Sequence, residues 1–281
     1  MNIAVISPHY NHTGTTTVAS LLGLELSSRG GKVCITHSLP KSESLYKYFG
    51  ITSVEDKTVN PARLVKMIKG GALKPDEVSD YCKSINNKLE LFSANDENFT
   101  QEDMILALEC ITQSFPHDYI IYDIDNDELD SPANRLILNN CDVAIIVINQ
   151  NVVELGKFKA RKSKILNSLG KIPQLVVINR FCDVQGSVKE TAQMMGVKAP
   201  KNWSVIRYNP WITYGTNFGK MSYIYGKMVA LDYRVADVAS DVKALTSLIL
   251  KVKVAKRQLN KEMMQRKLES RKATGDGGDN A

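Results

Sequence analysis

Short runs of nearly continuous apolar residues recur along the 281-residue chain and constrain its fold more than any other feature. They read as strands at Ile3–Ser7, Lys32–Thr36, Leu89–Ser93, Tyr119–Ile124, Asp142–Ile148, Gln174–Asn179 and Ser204–Tyr208. Each is rich in Val, Ile or Tyr and lacks polar alternation, the pattern of a strand covered on both faces. The segments between them have helical spacing. Val18, Leu21, Leu22 and Leu26 mark one helix, closed by Gly30-Gly31. Ile105, Leu108 and Ile111 mark a second, and Val152 to Leu169 holds a third. This alternation predicts the α/β class, with a doubly wound, mostly parallel sheet of about seven strands. Residues 41–88 show weaker patterning, read as helices joined by polar turns.

The C-terminal part differs. From about Val235 to about Lys272 no Pro or Gly intervenes, and Leu245, Leu248, Ile249, Val252, Ala255, Leu259 and Met263 keep helical spacing. A long C-terminal helix is therefore expected. The predicted organisation is one P-loop-type domain over 1–250, a basic helix over 251–272, and a polar, Gly-rich disordered tail over 273–281.

The apolar runs are far too short to cross a bilayer. The opening Met1–Ile6 reads as a strand rather than a secretory signal. Five scattered cysteines without a CxxC pair fit buried thiols in a reducing cytoplasm, not a disulfide framework or a zinc site. The net charge is +6, yet residues 251–272 alone hold nine Lys or Arg against two Glu, so the remainder is almost neutral. Three readings of that segment stay open: attraction to DNA, attraction to an anionic membrane, or a solvated face beside a partner-binding stripe. It has no Trp, Phe or Tyr, which disfavours the membrane. Glu262 and Glu269 interleave with the bases, as in ordinary helix pairing.

In open α/β sheets, ligands bind beyond the carboxyl ends of the strands. The loop after the first strand reads Ser7-Pro8-His9-Tyr10-Asn11-His12-Thr13-Gly14-Thr15-Thr16-Thr17 and then opens a helix. A glycine and three hydroxyls at a helix start make an anion-binding arrangement, because free N–H groups and the helix dipole both favour phosphate.

From Gly14 through the Leu/Ala-rich helix to Arg29-Gly30-Gly31-Lys32-Val33, the chain resembles the ParA/MinD-type deviant Walker ATPases. Their P-loop reads K-G-G-x-G-K followed by two Ser or Thr. Later stations agree in order. Asp118-Tyr119-Ile120-Ile121-Tyr122-Asp123 resembles their Walker B strand, Cys141-Asp142-Val143-Ala144-Ile145-Ile146-Val147 the next strand, and Val176-Val177-Ile178-Asn179-Arg180 the strand that contacts adenine. Tyr208-Asn209-Pro210 and Asn217-Phe218-Gly219-Lys220 resemble the pocket-closing segment. The resemblance implies ATP or ADP held by Asn11, His12, Thr13, Gly14, Thr15, Thr16 and Thr17, with Asn179 and Arg180 at the base. It further implies Mg²⁺ at Thr16 and Asp123, a homodimer, and an adaptor protein or cargo complex as partner.

The departures bear on chemistry. Tyr10 stands where the family's signature lysine reaches across the dimer, Asn11 and His12 where two glycines follow it, and Thr15 where the Walker A lysine belongs. His37-Ser38-Leu39-Pro40-Lys41 replaces D-x-D-P-Q, so both aspartates are gone. Each missing lysine removes a charge-assisted hydrogen bond of about 1.5–3 kcal/mol. Phosphoryl transfer depends on positioned charge, metal and water, so weak nucleotide binding with hydrolysis near background is expected. Two local alternatives stay open: His9, His12 and His37 as cation or metal substitutes or as plain loop residues, and Asp125 as partner of Asp123 or as a turn residue.

The function expected from the resemblance is positioning or partitioning of a cargo such as plasmid or chromosomal DNA. The alternative is a non-hydrolysing scaffold like the TadZ/CpaE branch, serving a pilus or conjugation machine, which is similar between Leu89 and Asp123. An iron–sulfur reductase component or ATP-dependent ligase is disfavoured by the placement of Cys110 and Cys141 and by the missing lysines.

Overall fold

All seven expected strands form in the computed structural model, which describes residues 1–8, 13–39, 44–51, 61–73, 75–93, 99–124, 129–197 and 202–275. They are β1 (Asn2–Ile6), β2 (Val33–His37), β4 (Leu89–Phe92), β5 (Tyr119–Asp123), β6 (Val143–Ile148), β7 (Gln174–Phe181) and β8 (Trp203–Arg207). An eighth, β3 (Lys83–Ser84), raises the expected count of about seven to eight among the described residues. Two residues are too short to leave a periodic signal, and β3 pairs antiparallel with β4 at the sheet edge. The order is β3-β4-β2-β5-β1-β6-β7-β8, and every other pairing is parallel. β1 therefore lies centrally, with β5 and β6 on its two sides; the chain first runs from β1 to one side and, after β5, crosses to the other. That is the topological switch at which open sheets bind ligands.

Among the described residues, ten α-helices accompany the strands: α1 (Thr15–Ser28), α2 (Ser44–Tyr48), α3 (Pro61–Lys69), α4 (Gln101–Ser114), α5 (Pro132–Asn139), α6 (Val152–Leu169), α7 (Val188–Met194), α8 (Pro210–Asn217), α9 (Met221–Val229) and α10 (Ala236–Gly275). Side-chain alternation sorts them into two layers. Ile3, Val5, Ile35, Leu91, Ile121, Ile145 and Val177 face α1, α9 and α10. Ala4, Ile6, Cys34, Phe92, Tyr122, Ile146 and Ile178 face α3, α4, α5 and α6. α1 is buried along nearly its whole length, from Thr17 to Ser27. This explains why its sequence is apolar beyond one stripe.

α10 is 40 residues long, about 60 Å at 1.5 Å per residue. Val238, Val242, Leu245 and Ile249 are buried in the core. Buried Asp241 accepts from the Arg207 backbone N–H at 2.9 Å and from its Nη1 at 2.8 Å, fastening the helix to β8. Further along, the Lys253 ammonium lies 3.8 Å over the Tyr119 ring, and Lys256 pairs with Asp142. The helix runs unbroken through residue 250, where the sequence reading divides body from basic segment, and its backbone stays helical to Gly275. Among the described residues, no helix is long and apolar enough to cross a membrane. All five cysteines are free thiols.

Candidate functional site

β1 ends in a loop whose last residues, Thr13 and Gly14, lead into α1. Gly14 has φ +87° and ψ 36°, a left-handed conformation that a side chain disfavours. It also lacks room for one. A Cβ there would stand 2.2 Å from Nδ2 of Asn179. That amide, at the end of β7 and only 3% exposed, donates to the Thr13 carbonyl at 2.7 Å. The loop is thus clamped between the strand that begins the chain and one 166 residues later.

Among the described residues no side chain caps the N-terminus of α1, and no acidic residue lies in its first turn. Its leading N–H groups are therefore available to an anion. The Thr16 hydroxyl donates to Oδ2 of Asp123 at 2.5 Å, joining α1 to the end of β5. A hydroxyl beside a buried carboxylate at an open helix start suits Mg²⁺, which takes oxygen ligands and keeps waters. The donor set fits the metal and phosphate. It does not fit tight binding, since Thr15 stands at the first residue of α1, where the resemblance places a lysine. When bound, Mg²⁺ would supply positive charge to the phosphate oxygens. Thr16 and Asp123 would hold it, and the first turn of α1 would orient the phosphate.

Beyond the ends of β6, β7 and β8 lies a cleft of about 440 Å³ lined by Asn149, Gln150, Arg180, Cys182, Gln185 and Tyr208. Arg180 adopts φ +53° at a bulge of β7 against β8. Gln150 bridges two loops: Oε1 accepts from the Cys182 N–H and Nε2 donates to the Gly186 carbonyl, each at 2.7 Å. Sequence reasoning missed Gln150. Its only signal is a polar residue just past a strand end. The resemblance makes Asn179 a base reader; its amide is committed at least in part to holding Thr13.

Direct contacts thereby join Thr13 and Gly14 to Asn179, and Thr16 to Asp123, with Thr15 and Thr17 on the same helical turn as Thr16 and Arg180 lining the cleft beyond β7. His9, Tyr10, Asn11, His12, Pro40, Lys41 and Asp125 lie outside the described residues.

His37, the last residue of β2, sits opposite Asp123 in the ladder and is 3% exposed. Its Nε2 is 2.6 Å from the Ser93 hydroxyl. Burial pushes its pKa down from 6.5 to about 4, against a weaker opposing hydrogen bond with the Leu39 backbone. The imidazole is neutral at pH 7 and supplies no cation in place of the missing lysines. The depressed value also sets a stability trend. As pH falls, the unfolded chain binds this proton first, so stability present above 6.5 is lost progressively towards 4. The contribution is about 3 kcal/mol. In EDTA-treated protein, urea unfolding at pH 7 and pH 4.5 should show a smaller drop for His37→Gln than for the parent chain. Equal drops would mean that other groups carry the acid sensitivity.

No protein-family profile matches the sequence, and no curated protein matches it. Solved structures do. A ParA family ATPase from Chlorobium tepidum superposes with a TM-score of 0.66 at 15% identity, over 87% of this chain and 96% of that one. The MinC:MinD cell division protein complex of Aquifex aeolicus gives 0.64 at 18%, over 89% and 96%. The septum site-determining protein MinD of Pyrococcus horikoshii, complexed with Mg-ADP, gives 0.63 at 20%, over 88% and 95%. At such identities the likeness establishes a shared fold.

Proposed function

We propose that this chain is a ParA/MinD-like nucleotide-binding protein that positions or partitions a cargo such as plasmid or chromosomal DNA, acting as a homodimer with an adaptor or cargo complex. The observation that carries the reading is the Thr16–Asp123 pair beside an uncapped helix start, with the loop held by Asn179. The solved relatives include one complexed with Mg-ADP and one bound to a partner protein, MinC. ATP or ADP with Mg²⁺ is the ligand this reading assigns to the site. The basic stretch of α10 is the surface it assigns to DNA, because the rest of the chain is almost neutral.

A second reading, a non-hydrolysing scaffold for a pilus or conjugation machine, is favoured by one feature: a buried neutral His37 and an apolar Leu39 where the family has carboxylates. Sedimentation of the full chain with duplex DNA, with and without Mg²⁺ and ATP, separates the two. The first reading expects assemblies whose size responds to nucleotide; the scaffold reading expects assemblies indifferent to it. A monomer that ignores both ligands overturns both.

DNA binding through α10 carries its own expectation. Replacing Lys261, Arg266, Lys267, Arg271 and Lys272 by Gln should weaken duplex binding and flatten its salt dependence, by about 0.9 in log–log slope for each phosphate that is no longer neutralised. Fluorescence anisotropy over a salt series reads this. An unchanged slope removes the helix from the DNA surface.

A further inference from the structure

Residues 203–234 concentrate aromatic and cationic side chains, most of them outside the segments 208–210 and 217–220 that the resemblance assigns to closing the nucleotide pocket. Eight of the chain's twenty aromatic residues lie there, including both tryptophans. From 191 to 231 there is no Asp or Glu, while Lys198, Lys201, Arg207, Lys220 and Lys227 fall in the same stretch. The structure brings many of these groups together. Trp211, Tyr214 and Phe218 follow i, i+3, i+7 spacing along α8 and past its end, which places them on one face.

The contacts along that face are continuous. The Arg234 guanidinium lies 5.9 Å from the Tyr233 ring and 4.8 Å over Trp211. Trp211 meets Tyr214 edge-on at 5.9 Å, and Tyr214 meets Phe218 at 4.9 Å. Lys220 sits over Tyr214 at 5.4 Å and Lys227 over Tyr223 at 4.9 Å. Cation–ring pairs occur about once per 70–80 residues, so about four are expected over a whole chain of this length. Here four fall between residues 211 and 234. Trp211 and Tyr214 are half-buried against the core, whereas four rings stay clear of it: Phe218 is 65% exposed, Tyr233 86%, and Tyr208 and Tyr223 56% each.

We propose that this face is a platform for single-stranded nucleic acid. Its occupant must offer flat apolar faces to the rings and negative charge to the cations, and a single strand offers both at every nucleotide. In a duplex the base faces are hidden in the stack, so the rings would find no partner. The charge balance agrees. Between residues 211 and 234 the cations Lys220, Lys227 and Arg234 stand against one carboxylate, Asp232, which Arg234 and Lys227 engage. The platform is also rigidly mounted. The Tyr225 hydroxyl donates to buried Glu25 of α1 at 2.7 Å, and Gly219 packs so closely on Gly50 that a Cβ at Gly219 would meet its Cα at 2.5 Å. Tyr208, three residues before Trp211, lines the cleft beside Arg180.

The test uses full-length protein without nucleotide, so its outcome is independent of whether ATP binds. Labelled oligothymidylate of about twenty bases, longer than one such site, is followed by anisotropy, alongside quenching of tryptophan fluorescence. Phe218→Ala with Tyr233→Ala is expected to weaken oligothymidylate binding about tenfold or more, since base stacking dominates such sites. Duplex affinity should stay unchanged. Phe218→Trp should retain binding, and Lys220→Gln should reduce the salt slope by about 0.7. Both rings are exposed, so the double variant should keep the parent's circular dichroism and unfolding midpoint. Unchanged oligothymidylate affinity in the double variant overturns the proposal. So does sedimentation showing that the double variant dissolves a homodimer without nucleic acid, which would assign the rings to a second copy of the chain.

Discussion

Gly14→Ala is expected to lower the unfolding midpoint by about 6–12 °C. Two costs combine. An L-residue at φ +87° costs roughly 1–2 kcal/mol. The new Cβ would also meet the Asn179 amide at 2.2 Å, forcing it off the Thr13 carbonyl. Breaking a buried hydrogen bond and stranding its acceptor adds about 1–3 kcal/mol. The sum, about 3 kcal/mol, converts at about 2–4 °C per kcal/mol for a chain of this size. The clash makes a sharper test than the midpoint alone. Asn179→Ala should itself destabilise, because it strands the same carbonyl, but it clears the space that the Cβ needs. In the double variant only the backbone strain of Gly14→Ala remains. The two substitutions should therefore be sub-additive by at least about 1 kcal/mol. Strict additivity in urea unfolding would mean that the clamp contributes nothing.

The strands were legible because both faces of the sheet are covered. Val143–Ile148 is buried at all six positions, so its sequence had to be apolar throughout. Gly14 and the threonines after it were legible as a helix start, for the local reason that glycine and hydroxyl residues are favoured where a helix begins. What escaped reading is what distant segments decide. Asn179 meets Thr13 from 166 positions away, and Gln150 finds its partners 32 and 36 residues on. His37 reads in sequence as one polar residue among several at a loop. Its burial follows only from lying at the end of β2 between β4 and β5. The stripe on α8 has helical spacing in plain view, but Arg234 reaches Trp211 from beyond the end of α9. Local chemistry announces itself by type and spacing, whereas its support is tertiary.

Removing the Thr16 hydroxyl or the Asp123 carboxylate should abolish whatever Mg²⁺ adds to nucleotide affinity, while leaving metal-free ADP binding nearly intact. The two oxygens meet at 2.5 Å beside the start of α1, and a metal held there depends on both. The N–H groups of the first turn, by contrast, would hold phosphate without the metal. Parent-chain affinity for Mg²⁺-ATP is expected in the roughly micromolar to millimolar range, since backbone donors and hydroxyls replace charge-assisted contacts. Turnover is expected near background. Acceleration requires interactions stronger in the transition state than in the ground state, and neither Thr15 nor neutral His37 brings positive charge to the phosphates. Thr15→Lys returns one cation at the first turn and should tighten binding by about tenfold or more. Restoring that one cation should raise turnover far less, because Leu39 still replaces a carboxylate. Calorimetry with ATP and a non-hydrolysable analogue reads affinity, and phosphate release reads turnover. Turnover stimulated by a partner and abolished by Thr16→Ala would make the protein a working switch ATPase, with the missing charge supplied from outside this chain.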